Sequence, residues 1–195
     1  MKTTSHIRPA LTLLLVLSLL CGGVYPLLVT GIAKGLFARQ AEGSLIVQDG
    51  RVRGSRLIGQ PFGAPGYFWS RPSATSPMPY NAAGSSGSNQ GPTNPALLDA
   101  VKTRIAALRQ ADPDNRAPVP VDLVTASASG LDPDISPAAA LYQTGRVARA
   151  RGVSRAQAEA LVQRHVETPF LPFIGAPHVN VLDLNLALDQ AWPRR

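Results

Sequence analysis

The feature that most constrains this chain is an uncharged stretch of 24 residues over positions 10–33. Thirteen of its residues are Leu, Val or Ile. As an α-helix it would measure roughly 36 Å, which exceeds the hydrocarbon core of a bilayer, about 30 Å thick. On the insertion scale these aliphatic side chains outweigh the cost of Gly22, Gly23 and Pro26. The stretch therefore predicts one transmembrane helix over residues 10–33.

A cleaved secretory signal peptide is the competing interpretation of this stretch. Its apolar region usually spans about 7–15 residues and ends in small residues of the Ala-x-Ala type. Here the apolar run is longer, and after Cys21 it continues as Gly-Gly-Val-Tyr-Pro-Leu-Leu-Val. The pattern favours a retained anchor.

The charges around the stretch do not decide its direction in the membrane. Basic residues stand on both sides, at Lys2, Arg8, Lys34 and Arg39. Because the basic charges on the two sides are balanced, the positive-inside rule gives no direction. Long C-terminal domains also translocate largely regardless of charge. A tail of nine residues fits an orientation with the N-terminus inside. We expect residues 1–9 to be a short cytoplasmic tail and residues 34–195 to be an extracytoplasmic domain.

The composition of residues 34–195 excludes several classes of protein. They carry 17 Lys or Arg against 12 Asp or Glu, a net charge of +5 that is spread rather than clustered. Because no basic motif interleaved with aromatic residues occurs, we expect no nucleic-acid partner. The single cysteine, Cys21, lies inside the apolar stretch, so the domain is not a disulfide scaffold.

The first part of the domain reads as a hairpin followed by a long loop. Residues 44–58 contain two short β-prone runs around Asp49-Gly50, a pair that tolerates the positive φ angles of a two-residue turn. Residues 59–95 are rich in Gly, Pro, Ser and Asn, but they also contain five aromatic residues. Since solvated linkers lack groups that gain from burial, we expect this loop to be ordered and to form part of a binding surface.

Helix signals follow the loop. Asn94-Pro95 and Ser136-Pro137 each supply an N-cap and a first-turn proline, and Gly152 is a stop signal for the second helix. Ser154 to Gln157 is a capping box for a third helix. Near the end, Leu182, Leu184 and Leu186 alternate with other residues, which predicts a strand with one buried face. The pattern leaves open whether Leu186 to Trp192 continues that strand or turns helical. The fold class is therefore one transmembrane helix plus one mixed α/β (α+β) domain.

No catalytic or metal-binding pattern is convincing. Gly84 to Gly91 resembles a phosphate loop but lacks its lysine. Only two histidines, His165 and His178, lie in the domain, and we expect no metal site. Asp132 and Asp134 leave open a membrane-tethered hydrolase, provided that both face one open cleft at the spacing of paired acids, about 5–10 Å.

Several segments occur in an order that resembles one known family. They are Gly59 to Phe62, Tyr67 to Thr75, Ser86 to Asn94, Pro118 to Ser136, Ala138 to Gly152 and Val179 to Asp189. Together they resemble the C subunit of the Kdp-type potassium-transporting P-type ATPase, over nearly the whole chain. The chain departs from the family at Ser70 and Ala128, where Gly is usual, and at Asp134, where His is usual.

The resemblance implies a small, non-catalytic, single-span subunit of an inner-membrane complex that takes up potassium at the expense of ATP. Its implied partners are the potassium-channel-like subunit, the P-type ATPase subunit and membrane lipid. The family is described as a catalytic chaperone that raises the affinity of the ATPase subunit for ATP, with the domain on the periplasmic side. ATP is thus implied only through the complex, and potassium is the transported ion.

Two sets of candidate site residues follow. Mixed polar and aromatic character predicts a partner-docking surface at Phe68, Trp69, Arg71, Ser88, Asn89 and Asn94. Family motifs that resemble coupling or nucleotide-contacting positions fall at Ser127, Ser129, Gly130, Asp132 and Ser136. Direct nucleotide binding by Gly84 to Gly91 or Val124 to Gly130 stays open, and it requires a cytoplasmic domain.

Overall fold

A computed structural model describes residues 6–171 and 173–193. The chain divides into two compact units, with the boundary between Leu45 and Ile46. Most of the expected cytoplasmic tail, residues 1–5, lies outside the described residues. The two units are described separately below.

The first unit is dominated by one long helix. It consists of α1 (Ile7–Leu19), one wide π-helical turn (Leu20–Val24) and α2 (Tyr25–Leu36). The helix has 30 residues, and its most apolar window of 18 residues has a mean hydropathy of 2.2. None of its residues is buried. It is long and apolar enough to cross a membrane, as predicted, and it extends beyond the uncharged stretch at both ends. A short helix, α3 (Ala38–Ala41), follows.

The wide turn has a local cause in the sequence. Pro26 lacks an N–H, and in a regular helix its ring would clash with the carbonyl group of Gly22. The π-helical turn lies directly before Pro26, where an enlarged turn relieves that clash and keeps the helix continuous.

The second unit begins with the predicted hairpin. Strand β1 (Leu45–Gln48) pairs with β2 (Arg51–Ser55). Asp49 and Gly50 have φ angles of 53° and 70°, the left-handed values that a type I′ turn needs at both central positions. The prediction from the Asp-Gly pair is confirmed.

A small antiparallel sheet supports the rest of the domain. Its strands are β3 (Asp134–Ile135), β4 (Val166–Glu167) and β5 (His178–Asn180), with β5 in the centre. Val179 of β5 lies opposite Ile135 on one side and Val166 on the other, and it is fully buried.

Four α-helices complete the part of the domain that the structure describes. They are α4 (Pro95–Ala111), α5 (Pro137–Arg151), α6 (Arg155–Arg164) and α7 (Val181–Ala191). The side chains of Asn94 and Ser136 cap α4 and α5, Gly152 adopts the left-handed conformation at the end of α5, and Ser154 forms the capping box with Gln157. These helix signals are confirmed.

The predicted strand around Leu182, Leu184 and Leu186 is wrong, because these residues lie in helix α7. Its fully buried positions include Val181, Leu184, Asn185 and Leu188. Their spacing of three, four and seven residues is that of one helix face. The Asn180 side chain accepts a hydrogen bond from Asp183 N (3.1 Å) and starts the helix immediately after β5.

Candidate functional site

The long loop is ordered because it is fastened to a second irregular segment. We call residues 67–94 the docking loop and residues 127–132 the turn segment. Ser127 N donates to Pro72 O (3.3 Å), and Ser86 N donates to Ser129 O (3.0 Å). The expectation of an ordered loop is confirmed, and backbone hydrogen bonds to this distant segment contribute to its order.

Glycines allow the two segments to approach closely. Gly130 has a φ of +68°, and a Cβ there would lie 2.5 Å from Thr75 Cγ2 and 2.6 Å from Ser86 O. A Cβ at Gly87 would lie 2.8 Å from Ala128 O. Both positions therefore require glycine, since a side chain would push the docking loop off the turn segment.

The Ser73 hydroxyl is the polar centre of this contact. It donates to Gly130 O (2.7 Å) and accepts from Tyr80 N (3.0 Å) and Thr75 N (3.3 Å). Tyr80 in turn donates its hydroxyl hydrogen to Arg71 O, and burial raises the pKa of Tyr80. The docking loop thus folds back on itself and on Gly130.

Phe68 lies in the core and not on a docking surface. Its side chain is fully buried, and Asn185 holds its backbone through two hydrogen bonds of 2.9 Å. The interpretation of Phe68 as a surface residue is corrected: its side chain cannot reach a partner while the domain is folded. Phe68 instead anchors the docking loop to α7.

Trp69 is half-buried and is oriented by two buried polar residues of α5. Gln143 accepts from Trp69 N (2.7 Å) and donates to Trp69 O (3.1 Å). The Arg146 guanidinium stacks on the indole at 4.2 Å from the ring centroid and also donates to Tyr67 O (2.9 Å). Burial lowers the pKa of Arg146 to about 10.

One side of Trp69 lines an open cleft of about 180 Å³ between the docking loop and α4. Phe62, Pro72, Leu108 and Leu123 supply its apolar walls. A cleft of this size suits one inserted side chain rather than a complete small ligand. Trp69 therefore remains a candidate for contact with a partner.

Arg71 and Asp132 join the docking loop to the turn segment by an ion pair. Arg71 Nη1 donates to Asp132 Oδ2 at 2.9 Å, while Arg71 Nε is buried without a hydrogen-bond partner among the described residues. Both residues line a cleft of about 300 Å³ together with Asp122, Asp134 and His178. Asp132 and Asp134, the two carboxylates that a hydrolase would use, thus line one cleft.

The carboxylates of this cleft are used for structure. Asp122 accepts from Ser136 N (2.7 Å), and Asp132 Oδ1 accepts from Asp134 N (3.0 Å). Asp134 accepts from Asn180 Nδ2 (3.0 Å). Burial raises the pKa of Asp134, and nearby Asp132 and Glu167 add to that effect, while His178 and the Asn180 bond oppose it.

The remaining docking candidates are placed as follows. Ser88 and Asn89 are exposed at the outer edge of the docking loop, and Asn89 adopts a left-handed φ of 51°. Asn94 is also exposed, but its side chain is engaged in capping α4 through Ala96 N (3.0 Å). Trp69, Arg71, Ser88 and Asn89 are therefore the docking candidates that stay at least partly accessible, and we call them the candidate docking surface.

The family-motif residues mainly hold the turn segment together. Ser127 Oγ accepts from Gly130 N (2.9 Å), Ser129 Oγ accepts from Leu131 N (3.1 Å), and Ser136 Oγ accepts from Ala139 N (3.0 Å). The donors that a phosphate group would need are thus occupied at Gly130 and Leu131, and three carboxylates lie in the adjacent cleft. This geometry does not favour direct nucleotide binding.

Metal chemistry finds no support among the described residues. In the ranges 6–171 and 173–193, no group of three or more His, Cys, Asp or Glu residues is placed to hold a metal ion. His165 Nδ1 lies 2.9 Å from Leu161 O at the end of α6, which is a structural position.

Comparison with known proteins decides the family. The sequence model of the KdpC family, described as "K+-transporting ATPase, c chain", matches residues 7–190. The chain belongs to the KdpC family. It is 65% identical to a potassium-transporting ATPase KdpC subunit from Methylococcus capsulatus over 95% of this chain and 97% of that protein. It is 66% identical to one from Variovorax paradoxus over 97% of this chain and 98% of that protein.

Membership in the KdpC family confirms the expectation of a non-catalytic subunit of a potassium-transporting ATPase. It gives no support to an unrelated hydrolase. Sequence reasoning missed the three buried polar residues that hold the docking loop, Gln143, Arg146 and Asn185. A signal was present, since Gln143 and Arg146 follow the buried Ala139 at helical spacing in α5.

Proposed function

We propose that this chain assembles the potassium-transporting ATPase by docking its domain, from outside the cytoplasm, on the potassium-channel-like subunit. The observation that carries this proposal is the fastened docking loop, which presents Trp69, Arg71, Ser88 and Asn89 on a rigid support. The carboxylates of the neighbouring cleft are engaged in structural hydrogen bonds. A rigid surface that carries an aromatic residue and an arginine suits protein recognition.

The chain also raises the affinity of the P-type ATPase subunit for ATP in this proposal. Because cellular ATP is cytoplasmic and the domain lies on the other side of the inner membrane, the effect passes through the membrane-spanning partners. Such an effect is a coupling free energy, typically about 1–3 kcal/mol, which corresponds to a roughly 5–150-fold change in affinity. The long helix Ile7–Leu36 and membrane lipid complete the path.

Replacing Ser88 by Arg tests the docking surface without disturbing the core, because Ser88 is exposed. The S88R complex should lose most of this subunit during purification in detergent, and the KM for ATP of the remaining complex should rise. Gln163→Arg, at an exposed position of α6, is the matched control and should leave both quantities unchanged. Full retention of the S88R subunit with an unchanged KM would contradict the proposal.

A further inference from the structure

A second exposed feature lies between β4 and β5. We call residues 169–171 and 173–176, the described residues of this connection, the apolar loop. Phe170 is 97% exposed, Phe173 81% and Ile174 59%, and Leu171 is also exposed. Single exposed apolar residues are ordinary, but adjacent large ones mark an interaction site.

The apolar loop is shaped by its own contacts and by the strands on both sides. Glu167 pairs with His178 at its base, in the register of β4 and β5. Ile174 N donates to Leu171 O (2.9 Å). Gly175 adopts a φ of +95°, and a Cβ there would lie 3.3 Å from Pro169 Cγ. These contacts and the strand pairing at the base restrain the described residues of the apolar loop, which lowers the entropy cost of docking.

The surrounding charges argue against an anionic lipid surface as the occupant. Loops that bind anionic lipid carry Lys or Arg, each contributing about 1 kcal/mol near the surface. Between Arg164 and Arg194 the sequence has no Lys or Arg, whereas it has Glu167, Asp183 and Asp189. In space, Arg56 lies beside this region, but it already pairs with Glu167 and Asp183.

The position of the apolar loop points to a protein partner. Ala176, Pro177 and His178, at its C-terminal end, line the same cleft as Arg71 and Asp132. A partner that reaches Arg71 of the candidate docking surface would therefore meet the base of the apolar loop across that cleft. Family membership supplies such a partner, since a c chain belongs to an ATPase of several chains.

We propose that the apolar loop inserts Phe170 and Phe173 into an apolar cleft on another subunit of the ATPase. It is a second docking point that continues the candidate docking surface across the shared cleft. This inference rests on the proposed function in one respect, namely that the chain is an assembly subunit. Aromatic side chains are enriched at the buried centres of such interfaces, which are surrounded by polar rims.

Photo-crosslinking in the complete complex tests the occupant directly. With p-benzoylphenylalanine placed at position Phe173 of the full chain, illumination of native membranes should give a covalent adduct with another subunit of the ATPase. Phe173 is 81% exposed, so the added benzoyl group should extend into solvent and leave the fold unaffected. An adduct with lipid, with a second copy of this chain, or with nothing at all would overturn the inference.

A double variant measures the strength of the contact. Phe170→Ser with Phe173→Ser should reduce retention of the chain in the purified complex about tenfold or more. The matched control is Val52→Ser with Leu98→Ser, two exposed apolar positions in β2 and α4, which should not reduce retention. Wild-type retention of the phenylalanine variant, or equal loss in the control, would overturn the inference.

The Ser88→Arg complex separates failure of this inference from failure of the proposed function. If S88R releases the chain while the phenylalanine variant stays bound, only the apolar-loop contact is wrong. If the phenylalanine variant releases the chain and S88R stays bound, the apolar loop is the docking point and the proposed surface around Ser88 is wrong.

Discussion

Phe68 and Phe170 are the same residue type in opposite environments. Phe68 of the docking loop is fully buried in the core, whereas Phe170 of the apolar loop is 97% exposed. From sequence alone both are aromatic residues in irregular segments, and no local pattern marks Phe68 as the buried one. Burial distinguishes a residue that stabilises the domain from one that is free to contact a partner.

This contrast predicts opposite outcomes of alanine substitution. Phe68→Ala should lower the free energy of unfolding by about 3–5 kcal/mol, because it removes buried apolar contacts and leaves a cavity. Phe170→Ala should change it by less than about 0.5 kcal/mol. Urea unfolding of the purified chain in detergent, followed by tryptophan fluorescence, measures both; a destabilised Phe170→Ala variant would contradict the assigned burial.

Asp134 gives a prediction about pH. Because burial raises its pKa, the folded domain disfavours the ionised carboxyl, and this cost is present at neutral pH. The cost disappears as the pH falls through the raised pKa toward and below the ordinary value of 3.8. Asp134→Asn should therefore raise the urea midpoint at pH 7, and its advantage over the wild type should shrink as the pH is lowered.

Asp114→Asn is the control for this titration, since Asp114 is exposed and outside the cleft of Asp134. Its urea midpoint should follow that of the wild type at each pH. A gain for Asp134→Asn that grows on acidification would contradict the sign of the pKa shift.

At the scale of elements, the contact between the docking loop and the turn segment depends on Gly130. Gly130→Ala forces a side chain into Thr75 and Ser86 O, in a left-handed conformation that costs about 1–2 kcal/mol by itself. We expect the docking loop to detach, which limited proteolysis of residues 67–94 in the full chain detects. Gly91→Ala is the matched control, because a Cβ at Gly91 meets nothing within 4 Å.

The outcome for Gly130→Ala shows whether close approach at Gly130 holds the docking loop on the turn segment or whether the substitution only strains the backbone locally. Rapid cleavage within the docking loop, with the rest of the domain resistant, supports the fastening. A cleavage pattern identical to that of Gly91→Ala would show that the loop is held by other contacts.

Elements with strong local signals could be predicted from the sequence, and those fixed by packing could not. Asp49-Gly50 and Ser154 specify a turn and a cap through their own backbone and side-chain chemistry. The alternation of Leu182, Leu184 and Leu186 matched a strand, although the buried set also includes Asn185, a polar residue that the pattern counted as exposed. Asn185 can be buried because it forms hydrogen bonds with the backbone of Phe68, a residue that lies 117 positions away in the chain.

The candidate site shows the same division. The composition of residues 59–95 indicated an ordered binding loop, because aromatic residues gain free energy when buried. Which side chains stay accessible depends on Gln143 and Arg146 of α5, which hold Trp69 from 74 and 77 positions further along the chain. Long-range contacts of this kind leave no local pattern in the residues that they expose.

At the scale of the whole molecule, the proposed function places partner binding by the domain on one side of the membrane and the ATP chemistry of the complex on the other. Among the residues that the structure describes, one helix is long and apolar enough to cross a membrane, and the domain uses its polar groups to fasten its own loops. An effect on ATP binding then requires partner subunits with two states that both sites bias. The direction of the helix in the membrane is therefore the premise on which the coupling argument depends.

Labelling of a Ser88→Cys chain, with Cys21 replaced by Ser, tests this premise and the docking surface together. Ser88 is preferable to the neighbouring Gly87, where a side chain would lie against Ala128 O. A membrane-impermeant thiol reagent added to intact cells or spheroplasts should label the chain when it is produced alone, and co-production of the other ATPase subunits should protect it. Labelling only after permeabilisation, or equal labelling with and without the partners, would contradict the account.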